Sequence, residues 1–553
     1  MKQHDSRHLH EEEHLAGTER IFERIEGADG TTSTSFSENV TLIPQPTRSA
    51  NDPLNWSLWR KYWHATLVLF VTGFTAAISN DAGAASDQMK DALGIDYGVQ
   101  NTAAGVLFVG IGYWTLLASP MPHLYGRRIQ YLICLLFCIG GSIWFAETQN
   151  VQDAIWCQLF VGASEACAEA LAQQSLSDLF FKHQRGTILG LYILATSVGT
   201  FLGPLISGYI SLRVDWRWVG WSAAIIGGAT LIVFLFGFEE TSFHRDIVLQ
   251  GLCPLPQDVS HNIEGGNDTL EGKESQGGIA IHASSDDHLS DHEHPSLTYW
   301  QRVRLITPAP NMIGTGFKQY FKYLFNTLRV FYFPAVVYSG IQWGAQDAWL
   351  TFYLTVEEDN WYEPPWSYTS SAVAIMNVPT LIGAAIGCFY GGWFSDYFVH
   401  RMAKRRDGIS EAEDRLWLMF LPALINPAGL MMFGIGSGGG CGRAMPYAGL
   451  AMIGFGWGCA GDITMSYLMD AYPEMILEGM VGVAVINNTF ACIFTFVCSD
   501  WIHASGLSST FIAIGVLSFL FHLLTAPMLF WGKAARRWTA TSYRNYLHIR
   551  DGK

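Results

Sequence analysis

Two glutamates lie inside a long apolar stretch, LFVGASEACAEALAQQS, at residues 159–175. Glu165 and Glu169 are four residues apart, a spacing that places both carboxylates on one face of an α-helix. An ionisable side chain at the centre of a membrane-spanning helix costs about 2.5–3.5 kcal/mol, so such residues usually face a cavity or a partner. Because each carboxylate disfavours ionisation of the other, the pair can take up and release a proton. The ionised pair would attract a cation.

Further polar residues accompany the glutamates in apolar stretches that hold no lysine or arginine at their centres. The candidates for proton coupling or substrate binding are Glu165, Glu169, Asp347, Asp462 and Asp81. The candidate polar and aromatic cavity residues are Gln158, Gln173, Gln342, Gln346, Trp343, Tyr338, Tyr467 and Asn488. The sequence does not separate proton coupling from cation recognition. Structural hydrogen bonding between helices is the alternative to both.

The elements that must position these residues are membrane-spanning helices. The chain has 553 residues, of which 50% are hydrophobic and only 15% are charged. A spanning helix needs about 20 predominantly apolar residues. Stretches that qualify lie at 62–80, 99–119, 129–146, 153–177, 186–210, 218–238, 329–354, 366–394, 415–436, 446–469, 479–502 and 508–531. Six precede a polar middle segment and six follow it, which predicts two six-helix repeats.

Charge predicts the orientation of these spans. Twenty Lys and Arg flank the spans on the side of the N-terminus, against four on the other side. By the positive-inside rule, both termini and the middle segment should be cytoplasmic. Residues 1–50 and 246–295 carry net charges of −4 and −9 out of −15 and are too polar to fold alone. The predicted domains are a disordered tail (1–50), a six-helix bundle (51–240), a mostly disordered acidic linker (241–327), a second six-helix bundle (328–532) and a C-terminal tail (533–553).

Short motifs recur at matching helix boundaries of the two halves. The loop after the second span reads SPMPHLYGRRIQ (119–130), and its counterpart in the second half reads GGWFSDYFVHRMAKRR (391–406). The fifth span contains Gly199, Gly203 and Pro204. Small residues four apart let helix backbones approach closely, and Pro204 removes one backbone donor and allows a bend.

With these motifs, the chain resembles the major facilitator superfamily, and within it the fungal twelve-span drug:proton antiporters, over roughly residues 51–532. The resemblance implies an all-α integral membrane fold of 12 helices in two six-helix pseudo-repeats. It implies an antiporter-type motif at Gly199, Gly203 and Pro204, and an inward gate latched by Gly126, Arg127, Arg128, Gly392, Asp396 and Arg401. Ser119 and His123 stand where the family has Gly and Asp, and Gln158 replaces an arginine implied to assist proton transfer.

These observations predict a proton-coupled efflux antiporter of the plasma membrane that exports a small organic molecule, drug or secondary metabolite. The alternative is a proton symporter that imports an organic cation such as a polyamine. A transport-dead sensor on the same scaffold is a second class. A membrane enzyme is not expected, because the sequence has no His box or nucleophile constellation, and its ten cysteines show no zinc-site or disulfide spacing. We expect a monomer that contacts substrate, protons and lipid, without cofactor, metal or nucleic acid.

Overall fold

The structure, a computed structural model, describes residues 15–26, 32–40, 43–47, 49–243, 245, 297–359, 361, 364, 366–439 and 442–551. The predictions of disorder for residues 1–14 and for most of the acidic linker, 246–296, therefore lie outside the described residues. The described part is predominantly helical.

Six long helices form the first half of the bundle. They are α1 (Leu58–Asp81), α2 (Tyr97–Ala118), α3 (Arg127–Ala146), α4 (Val151–Ala166, continued by Cys167–Leu171 and Ala172–Leu179), α5 (Arg185–Arg213) and α6 (Arg217–Gly237). Shorter α-helices at Ser86–Leu93 and Met121–Leu124, and 3-10 turns at Pro53–Asn55, Gly83–Ala85 and Lys182–Gln184, lie between or before them.

Six helices of similar length form the second half. They are α7 (Pro334–Asp359), α8 (Asn377–Arg405), α9 (Pro422–Gly439), α10 (Ala444–Ala471), α11 (Ile476–Ser505) and α12 (Leu507–Leu523), and α13 (Thr525–Asp551) follows. Shorter helices lie at Tyr299–Arg302, Phe317–Thr327, Leu328–Tyr332, Ser370–Ile375 and Ala412–Phe420.

Helix packing in the two halves follows the same pattern. In the first half α1 packs on α5, α2 on α4, and α3 on both α4 and α6. In the second half α7 packs on α11, α8 on α10, and α9 on both α10 and α12. Between the halves, α2 contacts α11 and α5 contacts α8, again as equivalent pairs. α10 also contacts α5, and α11 contacts α4. The two halves are therefore pseudo-repeats that meet along α2, α4, α5, α8, α10 and α11.

Four short strands interrupt this helical architecture. β1 (Thr18–Arg20) pairs with β4 (Ile409–Glu411), and β2 (Phe22–Glu26) pairs with β3 (Thr32–Val40), both antiparallel. The sequence predicts a disordered tail over 1–50, so these strands differ from that expectation. For β1 the reason is that β4 supplies backbone hydrogen-bond partners that the isolated tail lacks, whereas β2 and β3 pair with each other.

Nine helices of the described chain are long and apolar enough to cross a membrane, judged by length and composition. The other long helices at predicted span positions are α4, α7 and α10, which carry Glu165, Glu169, Asp347 and Asp462. Those carboxylates lower the mean hydropathy of the helices that hold them. Large apolar side chains such as Phe70, Ile225 and Ile386 are exposed on the outer surface of the bundle. Such exposure is suited to lipid.

Residues 119–128, 178–187, 391–415 and 470–478 lie together at one end of the bundle, where ion pairs join them. We name this region the basic end. The arginine and lysine count predicts that the basic end faces the cytoplasm.

The glycines of the fifth helix allow α5 to approach α1. A Cβ at position 199 would overlap the main-chain oxygen of Gly73, and one at position 203 would lie 2.8 Å from the Ala77 Cα. Pro204 lies inside the continuous helix α5. The small-residue motif is therefore a packing contact between two helices, as its spacing predicts.

We expect Gly199→Ala to lower the free energy of unfolding by about 1–3 kcal/mol, because the added methyl group forces α1 and α5 apart. Gly228→Ala in α6 is the matched control, since a Cβ there meets no atom within 4 Å. Thermal unfolding in detergent, followed by size-exclusion fluorescence, measures both variants. Equal melting temperatures for the two variants would contradict the close α1–α5 contact.

Candidate functional site

Three carboxylates from the two halves lie within electrostatic range of one another between the helices. Glu165 and Glu169 belong to α4 and Asp347 belongs to α7. The Asp347 carboxylate is near enough to act electrostatically on both glutamates. Within the part of the chain that the structure describes, no lysine or arginine acts on any of the three. We name these three residues the acidic site.

Neutral groups of the second half hold Asp347. Trp457 Nε1 of α10 donates a hydrogen bond of 3.1 Å to an Asp347 carboxylate oxygen. Asn487 of α11 lies beside the same carboxylate. The Trp343 ring packs on the Trp457 ring with centroids 4.7 Å apart. Asp347 is thus oriented by an indole donor whose own position is held by a second indole.

Neutral groups of the first half surround the glutamates. Ser79 of α1 lies beside the Glu165 carboxylate. The Tyr192 hydroxyl of α5 donates to the main-chain oxygen of Ala168 at 3.0 Å, and the ring is within electrostatic range of all three acids. Glu169 Oε2 is buried and has no hydrogen-bond partner among the described residues. A buried carboxylate without a partner is costly when ionised, so a proton or a cationic ligand is favoured beside it.

Helix α4 changes its winding at the acidic site. The α-helical segment ends at Ala166, a π-helical turn covers Cys167–Leu171, and the α-helix resumes at Ala172. Such turns are rare and occur frequently at functional sites. The expectation that the polar residues share one face assumes an unbroken α-helix. The turn contains Glu169 and displaces Gln173 from that register, and Gln173 is fully buried without a side-chain hydrogen bond among the described residues.

Asp81 lies in a separate cavity inside the first half. With Gln158 of α4 and Ser142 of α3, it lines a small space whose other walls are mainly apolar. Ser207 of α5 lies beside the Asp81 carboxylate. Gln158 and Glu165 are seven residues apart, about 10 Å along α4. Gln158 therefore lies about two helical turns from Glu165, and Asp81 has no electrostatic effect on the three carboxylates of the acidic site.

Asp462 of α10 also lies outside the acidic site, packed against glycines. A Cβ at Gly190 of α5 would lie 2.8 Å from Asp462 Oδ2, and one at Gly392 of α8 would lie 3.0 Å from it. Ser466 Oγ donates to Asp462 Oδ1 at 3.3 Å. Arg415 acts electrostatically on the carboxylate. Asp462 is therefore associated with the charged groups of the basic end.

Two predicted cavity glutamines bond to helices within the second half. The Gln342 amide donates to the main-chain oxygen of Phe521 in α12. Gln346 Oε1 accepts a hydrogen bond of 2.6 Å from the Asn426 amide of α9. Both side chains therefore hold α7 against its neighbours.

Three other predicted cavity residues also make contacts away from the acidic site. The Tyr338 hydroxyl hydrogen-bonds to the Thr525 hydroxyl at 2.8 Å, and the Tyr338 and Tyr467 ring centroids are 5.9 Å apart. Asn488 Nδ2 donates to its own helix α11. A Cβ at Gly112 of α2 would lie 2.9 Å from the Asn488 Cβ. Asn488 therefore packs at the contact between the two halves.

The loop of the second half binds the start of α5. Asp396 accepts hydrogen bonds from the main-chain nitrogens of Gly186 and Thr187 at 3.2 and 2.7 Å. A carboxylate is favoured at a helix N-terminus by the helix dipole. Arg415 joins Asp396 at 2.8 Å to Asp470 at 2.7 Å. This buried charge network connects the two halves at the basic end.

The loop of the first half makes an equivalent contact, in which the carboxylate belongs to the opposite half. His123 occupies the position equivalent to Asp396, and its Nε2 lies 3.1 Å from Glu478 Oε1 in the first turn of α11. Arg127 pairs with Asp178 at the end of α4. The acid missing from the loop is therefore supplied by the opposite half.

The remaining loop residues have distinct roles. Gly126 precedes α3 with φ of +94°, and the Glu240 carboxylate accepts from the main-chain nitrogens of Arg127 and Arg128 at 3.0 and 3.2 Å. The Arg128 guanidinium donates to the main-chain oxygen of Leu235 at 2.6 Å. Arg401, predicted as a latch residue, is exposed on the surface.

Sequence reasoning missed the hydrogen-bond partners of the acidic site and the arginine at the centre of the charge network. Trp457 precedes Asp462 by five residues, within the helix already singled out for its acid. Arg127 and Arg415 lie at the start of the third span of each half, and Asp178 and Asp470 directly follow the fourth. Comparing the two halves could therefore have found the Arg415–Asp470 pair. Nothing in the sequence pattern distinguishes Ser79 from other span serines.

Comparison with known proteins identifies the family of this chain. The model of the Major Facilitator Superfamily matches residues 65–497. The chain is 50% identical to the MFS-type transporter C1271.10c of Schizosaccharomyces pombe, covering 98% of this chain and 95% of that protein. It is 49% identical to Protein HOL1 of Saccharomyces cerevisiae, covering 93% of each.

More distant matches agree with this family. The chain is 21% identical to the MFS antiporter QDR3 of Candida albicans, covering 82% of this chain and 76% of that protein. The solved structure of the proton:xylose symporter XylE shares the fold, with a TM-score of 0.57 and 11% identity over 86% of this chain and 97% of the other. The chain therefore belongs to the Major Facilitator Superfamily of membrane transporters and resembles its fungal drug-transporter branch.

Proposed function

We propose that this protein is a proton-coupled secondary transporter that exports a small organic molecule of cationic character. The observation that carries the proposal is the acidic site, where three carboxylates from the two halves meet without a lysine or arginine among the described residues. A site with uncompensated acids favours a proton, a cation, or each in turn. Trp457 and Trp343 add aromatic faces that attract organic cations.

The proposed mechanism is alternating access between two six-helix halves. The twelve predicted spans would consist of the nine apolar helices together with α4, α7 and α10, with the basic end and both termini in the cytoplasm of a plasma-membrane protein. Glu165 and Glu169 would move with the first half, and Asp347 with the second. Their separation as one side opens changes the repulsion among them, which couples protonation to conformation. Asp462 and Asp81 remain further proton-site candidates.

Import of an organic cation by proton symport is the second candidate. The geometry that favours it is the presence of acids on both faces of the interface, since a linear cation with several amines can contact both halves at once. The same three residues would then bind substrate and proton in one step rather than in competition. The direction of coupling distinguishes the two candidates.

Flux through purified protein in liposomes tests the direction. With an acidic interior, an antiporter accumulates labelled organic cation as protons leave, whichever way the protein is inserted. A symporter accumulates the cation only when the exterior is acidic. We expect uptake with the acidic interior, abolished by a protonophore. Uptake that is the same with either gradient would contradict proton coupling.

A further inference from the structure

The segment that precedes α1 is docked on the second half of the molecule. Its strand β1 pairs with β4, which lies between α8 and α9, and the register joins Thr18 to Glu411 and Glu19 to Ser410. Ile21 N donates to the Gly408 oxygen at 2.8 Å. This backbone pairing attaches the segment to the second half independently of any side chain.

Side chains strengthen this attachment. The Arg536 guanidinium of α13 donates to the Ala16 oxygen and, at 3.3 Å, to the Thr18 hydroxyl. Gly17 has φ of +82°, and a Cβ there would lie 3.0 Å from the Asp470 oxygen at the end of α10. Phe22 is buried beside the second half. Residues 15–22 are therefore a fixed part of the surface of that half.

One side chain of this segment reaches the first half. Glu19 Oε2 lies 2.9 Å from Nζ of Lys182, in the 3-10 turn that precedes α5. The side chains of Lys182 and Glu19 are 9% and 22% exposed, so solvent screens the pair less than a fully exposed one. Lys182 N also donates to the Ile43 oxygen at 2.8 Å, which holds the later part of the N-terminal segment on the first half.

The Glu19–Lys182 pair lies beside the other contacts that join the halves. Arg185, three residues after Lys182, pairs with Asp470 at 3.3 Å, and Asp396 binds the start of the same helix. We infer that Glu19 is a gate residue, and that its ion pair with Lys182 holds the basic end closed. This inference rests on the proposed alternating access, in which these contacts separate when the basic end opens.

A neighbouring ion pair provides the control. Glu411 Oε1 of β4 lies 2.7 Å from Lys533 Nζ of α13. Glu411 is on the same small sheet as Glu19 and the ion pair has the same chemistry, but both of its residues belong to the second half. Opening of the basic end leaves this pair intact, so its loss should not alter the gate.

A cysteine reporter at the interface measures gate opening. Ser197 of α5 is fully buried and faces Cys388 of α8, so it becomes accessible from the basic end only when the halves separate. The full chain carrying Ser197→Cys is labelled in liposomes with an impermeant maleimide from the basic end. The parent chain without Ser197→Cys corrects for labelling of the native cysteines.

Glu19→Gln should raise the labelling rate about two- to fivefold, the equivalent of about 0.5–1 kcal/mol for a partly exposed ion pair. In a Lys182→Gln background, Glu19→Gln should add nothing, because the partner is already absent. Glu411→Gln in the Ser197→Cys chain should label at the rate of Ser197→Cys alone. An unchanged labelling rate for Glu19→Gln overturns the inference. So does a rise of the same size when Glu19→Gln is made in the Lys182→Gln background. No substrate or proton gradient is used, so a failure of the flux experiment is distinguished from this result.

Discussion

Glu165→Gln combined with Glu169→Gln should lower proton-driven uptake in liposomes by about 10- to 150-fold, the equivalent of one charged hydrogen bond of about 1.5–3 kcal/mol. Glutamine keeps the shape of the side chain but cannot gain or lose a proton. Asp347 then remains the single acid in the acidic site, without a neighbouring carboxylate to repel it. Uptake of labelled organic cation under an imposed pH gradient measures the effect.

Substrate exchange without a gradient separates the two roles of the glutamates. If they carry the proton, the double variant should still exchange internal for external substrate while gradient-driven accumulation is lost. If they bind the cation, exchange is lost as well. The single variants assign each role to one residue.

Asp153→Asn is the matched control for the glutamate variants. Asp153 lies in the first turn of the same helix, where it accepts a hydrogen bond of 3.1 Å from Trp144 Nε1. The change is again from acid to amide, but far from the acidic site. We expect normal pH dependence. Wild-type pH dependence in all the glutamate variants would show that the pair is structural.

Arg415→Gln should destabilise the protein by about 3–5 kcal/mol, because it leaves two buried carboxylates without their shared cation. The Arg415 side chain is 3% exposed and bonds to Asp396 and Asp470 together. Repulsion between those acids should also loosen the basic end, since Asp396 binds the first main-chain nitrogens of α5. The melting temperature and the labelling of Ser197→Cys measure the two effects.

Arg401→Gln provides the comparison for Arg415→Gln. Arg401 lies on the same loop segment and is exposed, so its loss should leave both the melting temperature and the labelling unchanged. The resemblance to the family implied Arg401 as the latch base, which makes the pair of variants a direct choice between the two arginines. Equal effects of both substitutions would contradict the network centred on Arg415.

Helix positions are the part of the fold that the sequence predicts well. The predicted span 62–80 falls within α1, and 479–502 falls within α11. Apolar length is a local property, so it can be read without knowing the neighbours. Family membership was predicted on the same local motifs and is confirmed by the match over residues 65–497.

The candidate site could be predicted only in part. Glu165, Glu169 and Asp347 meet, whereas Asp462 and Asp81 lie elsewhere, although all five share the same signature of an acid in an apolar stretch. Which acids meet depends on how the helices cross and how far each extends. The π-helical turn in α4 adds a change of register that no spacing rule anticipates.

By itself, the sequence determined that this chain has two helical repeats, one basic side and acids where apolar residues are expected, because composition and periodicity act over one helix at a time. Only the tertiary structure decided that Asp347 lies within electrostatic range of the two glutamates, that Glu478 contacts His123, and that Glu19 contacts Lys182. Each of these contacts joins residues more than 150 positions apart. Side-chain pairs at such separations are set by the packing of whole helices against each other, which the pattern along any one helix does not contain.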